Sequence, residues 1–109
     1  MPVSDKSYKR SRGIFLVADE FGIHAVHSDE GEARKQAHHK YSTEDVFKYS
    51  VWVIWYELDT PIGSEIRFHV LGKYPRSQLL PGQTQREELP WSPSEDGWDE
   101  ELNEKTFLP

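Results

Sequence analysis

Apolar positions concentrate between Gly13 and Leu71, and the densest stretch is Ser50-Val51-Trp52-Val53-Ile54-Trp55-Tyr56-Glu57-Leu58. In no other run would both faces of an extended strand be apolar, so this stretch reads as the central strand. Upstream, Gly13-Ile14-Phe15-Leu16-Val17-Ala18 is β-branched and aromatic enough to predict a strand. Asp19-Glu20-Phe21-Gly22 follows as a turn, with Gly22 placed to take a positive φ, and Ile23 to His27 returns. The expectation is a three-residue hairpin with a glycine bulge. Ser28 is placed to cap a helix, with Asp29, Glu30 and Glu32 at its positive end and Arg34, Lys35 and Lys40 toward its C-terminus. The helix is expected to end near Lys40, with Ala33, Ala37 and Tyr41 along one stripe. Ser42-Thr43-Glu44-Asp45 has the form of a capping box that would start one more turn carrying Val46 and Phe47. A loop at residues 59–64 and a strand from Glu65 to Leu71 complete a ββαββ order.

The predicted fold is a small α+β domain over residues 13–73: a four-stranded antiparallel sheet with one main helix on one face. A basic arm, residues 1–12, precedes it. Residues 74–109 form an irregular, Pro-rich, acidic tail, expected to fold back partly on the sheet. Punctuation after Leu71 by Gly72, Pro75, Pro81, Gly82, Pro90, Pro93 and Gly97 argues against a long regular element.

A four-residue loop between the last two strands would pair Asp59 with Ser64. Directly opposite residues share a face, so Glu57–Ile66, Trp55–Phe68 and Val53–Val70 would lie on one side. Leu58–Glu65, Tyr56–Arg67, Ile54–His69 and Trp52–Leu71 would lie on the other. The first side is an apolar floor for the helix. The second, if bare, would approach the roughly 300–600 Å² of the largest apolar patch on an ordinary monomer. Three covers suggest themselves: the tail through Leu79, Leu80, Leu89 and Trp91; a second copy of the chain, giving a homodimer; or another macromolecule. The tail ranks first, because it holds apolar residues that nothing else explains.

Length and charge narrow the picture. A chain of 109 residues fits one domain with tails, under the usual span of about 100–200 residues per domain. The formal charge of −6 is polarised. Lys6, Lys9, Arg10 and Arg12 mark the arm, while Glu87, Glu88, Glu95, Asp96, Asp99, Glu100, Glu101 and Glu104 mark the tail. With Cys 0, a disulfide framework, a thiolate metal site and a cysteine nucleophile are excluded. No signal-peptide pattern and no apolar run near the ~20 residues of a membrane helix is present. The expected location is therefore cytoplasmic, with no membrane partner.

Candidate chemistry is sparse. His24 and His27 lie three apart on a strand, roughly 10 Å along it, and point to opposite faces. His38 and His39 are adjacent on the helix, and His69 stands alone. No metal and no cofactor is expected, given zinc's usual need for three or four ligands. Glu57, Asp59 and Glu65 are the nearest carboxylates to an acid–base arrangement, but nothing in their context calls for shifted pKa values. Catalytic residues are therefore not assigned.

The expected function is non-enzymatic: a protein-binding or inhibitory module of the kind that accessory proteins of phages and mobile elements provide. Its candidate contacts are Trp52, Ile54, Tyr56, Leu58, Arg67 and His69 on the sheet, with Trp91 and Trp98 from the tail. The alternative is a single-stranded nucleic-acid binder, stacking bases on Trp52 and Tyr56 beside Arg67 and His69, with the basic arm on phosphate. It ranks second because the net charge opposes a polyanion.

Overall fold

The structure, a computed structural model, describes residues 12–43, 49–75 and 91–103. Strands β1 (Gly13–Asp19) and β2 (Gly22–His27) form the expected antiparallel hairpin, with a shorter connection. Asp19 pairs with Gly22, leaving only Glu20 and Phe21 between the strands. The Asp19 carboxylate accepts the Phe21 amide at 2.7 Å, an Asx turn that replaces the expected glycine bulge. Gly22 takes φ 134°, a conformation that favours glycine. The irregularity sits deeper, between Val17 and Ala18, where His24 is the residue without a partner in the register. That extra residue has a consequence for the surface. Ile23 and Val26, three apart, lie opposite Ala18 and Leu16 and so share one face.

Helix α1 (Glu30–Thr43) is capped by Asp29 rather than Ser28: its carboxylate accepts the Glu32 amide at 3.0 Å. Acidic Glu30 and Glu32 occupy the first turn and Lys40 the last, as the helix dipole prefers. Its apolar stripe, Ala33, Ala37 and Tyr41, is buried as expected, and small alanines let the helix lie close on the sheet. The helix runs past Lys40, and the further turn expected to carry Val46 and Phe47 falls outside the described residues. So do residues 1–11 of the basic arm.

The sheet has five strands, not four, in the order β2-β1-β3-β4-β5. Strand β3 (Val51–Glu57) is central, β4 (Phe68–Tyr74) follows, and the pair Ser92–Pro93 adds β5 against Gly72 and Lys73. β4 begins later than expected because residues 58–67 form the connection. Asp59 there takes φ 60°, and the Ser64 amide donates to the Pro61 carbonyl at 3.0 Å. The pairing becomes Tyr56–Phe68, Trp55–His69 and Ile54–Val70, then shifts to Val53–Gly72, Trp52–Lys73 and Val51–Tyr74. This corrects the expected Trp55–Phe68 and Val53–Val70 pairs. A one-residue slip sends each side chain to the other face, so Phe68 and Val70 leave the helix side.

Two cores result. On the helix side, Val17, Val51, Val53 and Tyr74 pack against Ala33, Ala37 and Tyr41, with Trp91 alongside. The Tyr41 hydroxyl donates to the Pro75 carbonyl at 2.8 Å, and its ring stacks on Tyr74 at 5.4 Å. Gly72 is required for close approach: a Cβ there would stand 2.5 Å from the Ser92 carbonyl oxygen and 2.6 Å from the Trp91 ring. On the second side, Ala18, Trp52, Ile54, Phe68 and Val70 enclose Leu102, with Tyr56 and Trp98 packed against them.

Candidate functional site

The second face of the sheet divides into a half over β3 and β4 and a half over β1 and β2. The β3–β4 half is occupied by residues 94–103. Leu102, on the short helix α2 (Glu100–Asn103), is fully buried there, and the Trp98 ring lies 5.8 Å from that of Phe68. The segment organises itself locally. The Asp96 carboxylate accepts the Trp98 amide, and the Asp99 carboxylate accepts the Leu102 amide, both at 3.0 Å. Two backbone bonds of 3.0 Å tie it to β4, from Val70 N to the Gly97 carbonyl and from Ser94 N to the Leu71 carbonyl.

A charge cluster fixes one end of this arrangement. The Lys73 ammonium lies 3.2 Å from the Asp99 carboxylate and 3.0 Å from Glu101, all three side chains being largely buried. The Ser50 hydroxyl donates to Glu101 at 3.3 Å. Burial alone would push the Lys73 pKa down, but hydrogen bonds to Glu101 and Asp99 outweigh it and hold the pKa above the usual lysine range. At the other end Tyr56 stacks on Phe68 at 5.9 Å, and burial pushes its pKa up to about 12. The Trp52 indole N–H, buried in the same cluster, has no acceptor among the described residues.

On the β1–β2 half, Leu16 and Ala18 of β1 are buried, and the β2 strip beside them is exposed. Ile23 is 47% exposed and Val26 57%, and Phe21 at the hairpin tip is 72% exposed. Phe21 meets only one ring edge-on among the described aromatic pairs, that of Tyr49 at 4.8 Å. The hairpin is anchored at its turn by Asp19, which is buried. Its carboxylate takes the Phe21 amide, the His24 imidazole Nε2 at 2.7 Å and the Lys40 ammonium at 3.3 Å. Burial acts to raise the Asp19 pKa; the hydrogen bonds from Phe21 and His24 and the nearby positive charge win, leaving it below the usual carboxylate value.

The candidate contact residues fall in different places. Trp52 and Ile54 are fully buried, with half-buried Tyr56 and Trp98 beside them in one cluster. Leu58 lies beyond the end of β3 and is 37% exposed. Arg67 is exposed and pairs with Glu57 at 3.2 Å. His69 is buried and stands opposite Trp55; in the expected register it stood opposite Ile54. Trp91 belongs to the helix side, where the Arg34 guanidinium lies 4.6 Å over its ring. Trp52, Tyr56, Arg67 and His69 therefore do not share an open surface. Leu79, Leu80 and Leu89 lie outside the described residues.

Sequence reasoning missed Lys73, Leu102, Ile23 and Val26. Leu102 carried a usable signal, an apolar residue four positions after Trp98 inside an acidic run. Ile23 and Val26 carried none, since only the extra residue at His24 puts them on one side.

Among the described residues, no group of three His, Asp or Glu side chains could hold a metal ion, and no helix is long and apolar enough to cross a membrane. No family model, no curated protein and no solved structure matches this chain.

Proposed function

We propose that this chain is a non-enzymatic protein-binding module whose open contact surface is the β2 edge of the sheet with the exposed side chains that β2 carries. One observation carries the reading: the terminal strand shows Ile23 and Val26 to solvent on a single face, next to an exposed Phe21. Strands at sheet edges are ordinarily guarded by lysine, proline or a covering element, because their free backbone groups invite another strand. Gly22-Ile23-His24-Ala25-Val26-His27 carries neither lysine nor proline. Such an edge accepts an extended segment of a partner, with main-chain hydrogen bonds giving affinity and alternate side chains giving selectivity. The partner segment is extended and apolar on the side facing Ile23 and Val26.

Photocrosslinking tests this directly. A benzophenone amino acid at Val26 is expected to capture a discrete protein in the cell that makes this chain, and the same group at Lys35 on the exposed helix surface is not. Ile23→Asp should abolish the Val26 product while leaving the circular dichroism spectrum unchanged. Equal capture from both positions, or none from Val26, would sink the proposal.

A further inference from the structure

Resting on the reading of β2 as the contact edge, we infer that its occupant is β2 of a second copy of this chain. The two strands pair antiparallel across a two-fold axis and join two five-stranded sheets into one.

Register favours this occupant over an ordinary strand. In a regular strand, side chains on one face recur every second residue. Ile23 and Val26 share a face three residues apart, because His24 is an extra residue in β2. A regular strand follows β2 only by leaving one residue unmatched, as β1 does at His24. A second β2 carries the same extra residue, and the two-fold axis brings it to the same point. Ile23 of one copy then stands opposite Val26 of the other, and His24 opposite Ala25. Each relation occurs twice, as an isologous contact requires. Directly opposite residues share a face, so both apolar pairs fall together on the second face of the joined sheet. Each imidazole meets a small side chain. A bulge that discourages pairing with ordinary strands thus selects its own kind.

Charge and access agree with this occupant. Two copies of a chain with net charge −6 repel each other at a distance, so they need a neutral place to meet. Gly22–His27 contains no Asp, Glu, Lys or Arg. The edge is also open on the helix side, where α1 packs most heavily on β1 and β3 and the His24 side chain is 39% exposed. A strand of 6 residues makes a contact at the low end of specific interfaces, under about 1,200 Å². The dimer is therefore weak, and forms and parts with concentration.

Sedimentation equilibrium of the purified full chain is expected to show monomer and dimer exchanging with concentration. Ile23→Lys and Val26→Lys, both at exposed positions, should each weaken the dimer at least about tenfold, since each sets an ammonium against an apolar side chain. Raising salt should strengthen the wild-type dimer by screening the net charge. The chain has no cysteine, so single cysteines read the register without any lysine variant. Mixed Ile23→Cys and Val26→Cys chains should oxidise preferentially to the mixed disulfide, because residues 23 and 26 of different copies come within disulfide reach and like positions do not. A chain that stays monomeric throughout overturns the inference. So does a dimer indifferent to both lysine variants or dissolved by salt, and so does a statistical mixture of the three disulfides. Photocapture at Val26 separates the inference from the reading beneath it. A crosslinked product of two copies supports both. A different protein, captured by a chain that is monomeric when purified, overturns the inference and leaves the edge as a contact surface. No product from Val26 sinks both.

Discussion

The two halves of the second sheet face are built from the same kinds of residue and end differently. Over β3 and β4, the large side chains Trp52, Ile54 and Phe68 are sealed by Leu102 and Trp98. Over β1 and β2, Ile23 and Val26 stay open to solvent. The difference does not lie in hydrophobicity, since isoleucine and valine bury as readily as any residue. It lies in electrostatics. The β3–β4 half owns a lysine that an acidic segment can satisfy. At the hairpin the Lys40 ammonium and the His24 imidazole both meet Asp19, which follows Ala18 along β1 and so lies on the helix side of the sheet. The acidic segment 94–103 thus finds its charge partner on the β3–β4 half.

The largest expected effect contrasts the halves directly. Leu102→Ala removes a fully buried side chain and should cost about 2–5 kcal/mol, the range for leucine truncation in a packed site. Val26→Thr keeps β-branching on the exposed edge and should change stability by no more than about 0.5 kcal/mol. Urea denaturation of both variants measures the contrast. Similar losses would mean that the two halves are equally structural.

How far the sequence could have announced this contrast depends on which element is considered. The hairpin, the helix stripe and the central strand all followed from local pattern, because β-branching and the Ala33–Ala37–Tyr41 spacing speak for themselves. The register of β4 did not. A four-residue turn was the simplest connection, whereas residues 58–67 close a longer one with Asp59 at φ 60°, and the slip exchanged the faces of Phe68 and His69. Irregularities at Val17/Ala18 and Val53/Ile54 are likewise products of tertiary fit, and alternation counting passes over them. The acidic segment was legible as a source of cover, but not in detail. Its decisive residue, Leu102, looked incidental until Lys73 supplied the charge partner.

A second, smaller effect isolates the hairpin's anchor on the helix. Asp19→Asn removes the charge shared by His24 and Lys40 and should cost about 1–3 kcal/mol, the range for a buried group losing charged hydrogen bonds. The pH dependence has a definite sign. The folded pKa of Asp19 lies below the usual carboxylate value, so its contribution is fully present above the ordinary carboxylate range. It is lost as pH falls through the folded pKa. The gap in unfolding free energy between wild type and variant should be constant near neutrality and shrink in acid below about pH 4. A gap that persists unchanged at pH 2 would show that charge at Asp19 does not hold the hairpin to the helix.

A smaller effect again belongs to the clamp on the covered half. Lys73→Met keeps the stem and removes the ammonium that meets Asp99 and Glu101. The expected loss is about 1 kcal/mol, since partly screened ion pairs contribute little. Its sign with pH is opposite to that of Asp19. The folded pKa of Lys73 is raised above 10.5, so the clamp is at full strength below that value and fades as pH climbs through the folded pKa. Hydrogen exchange reads the local consequence better than global unfolding does, because segments can open without the sheet. The Val70 amide, which donates to Gly97, should exchange faster in Lys73→Met, while the Ile54 amide in the central strand should not. High salt should move the wild type toward the same behaviour by screening the pair. If Val70 and Ile54 accelerate together, the segment is an inseparable part of the core, and the two halves differ in exposure alone.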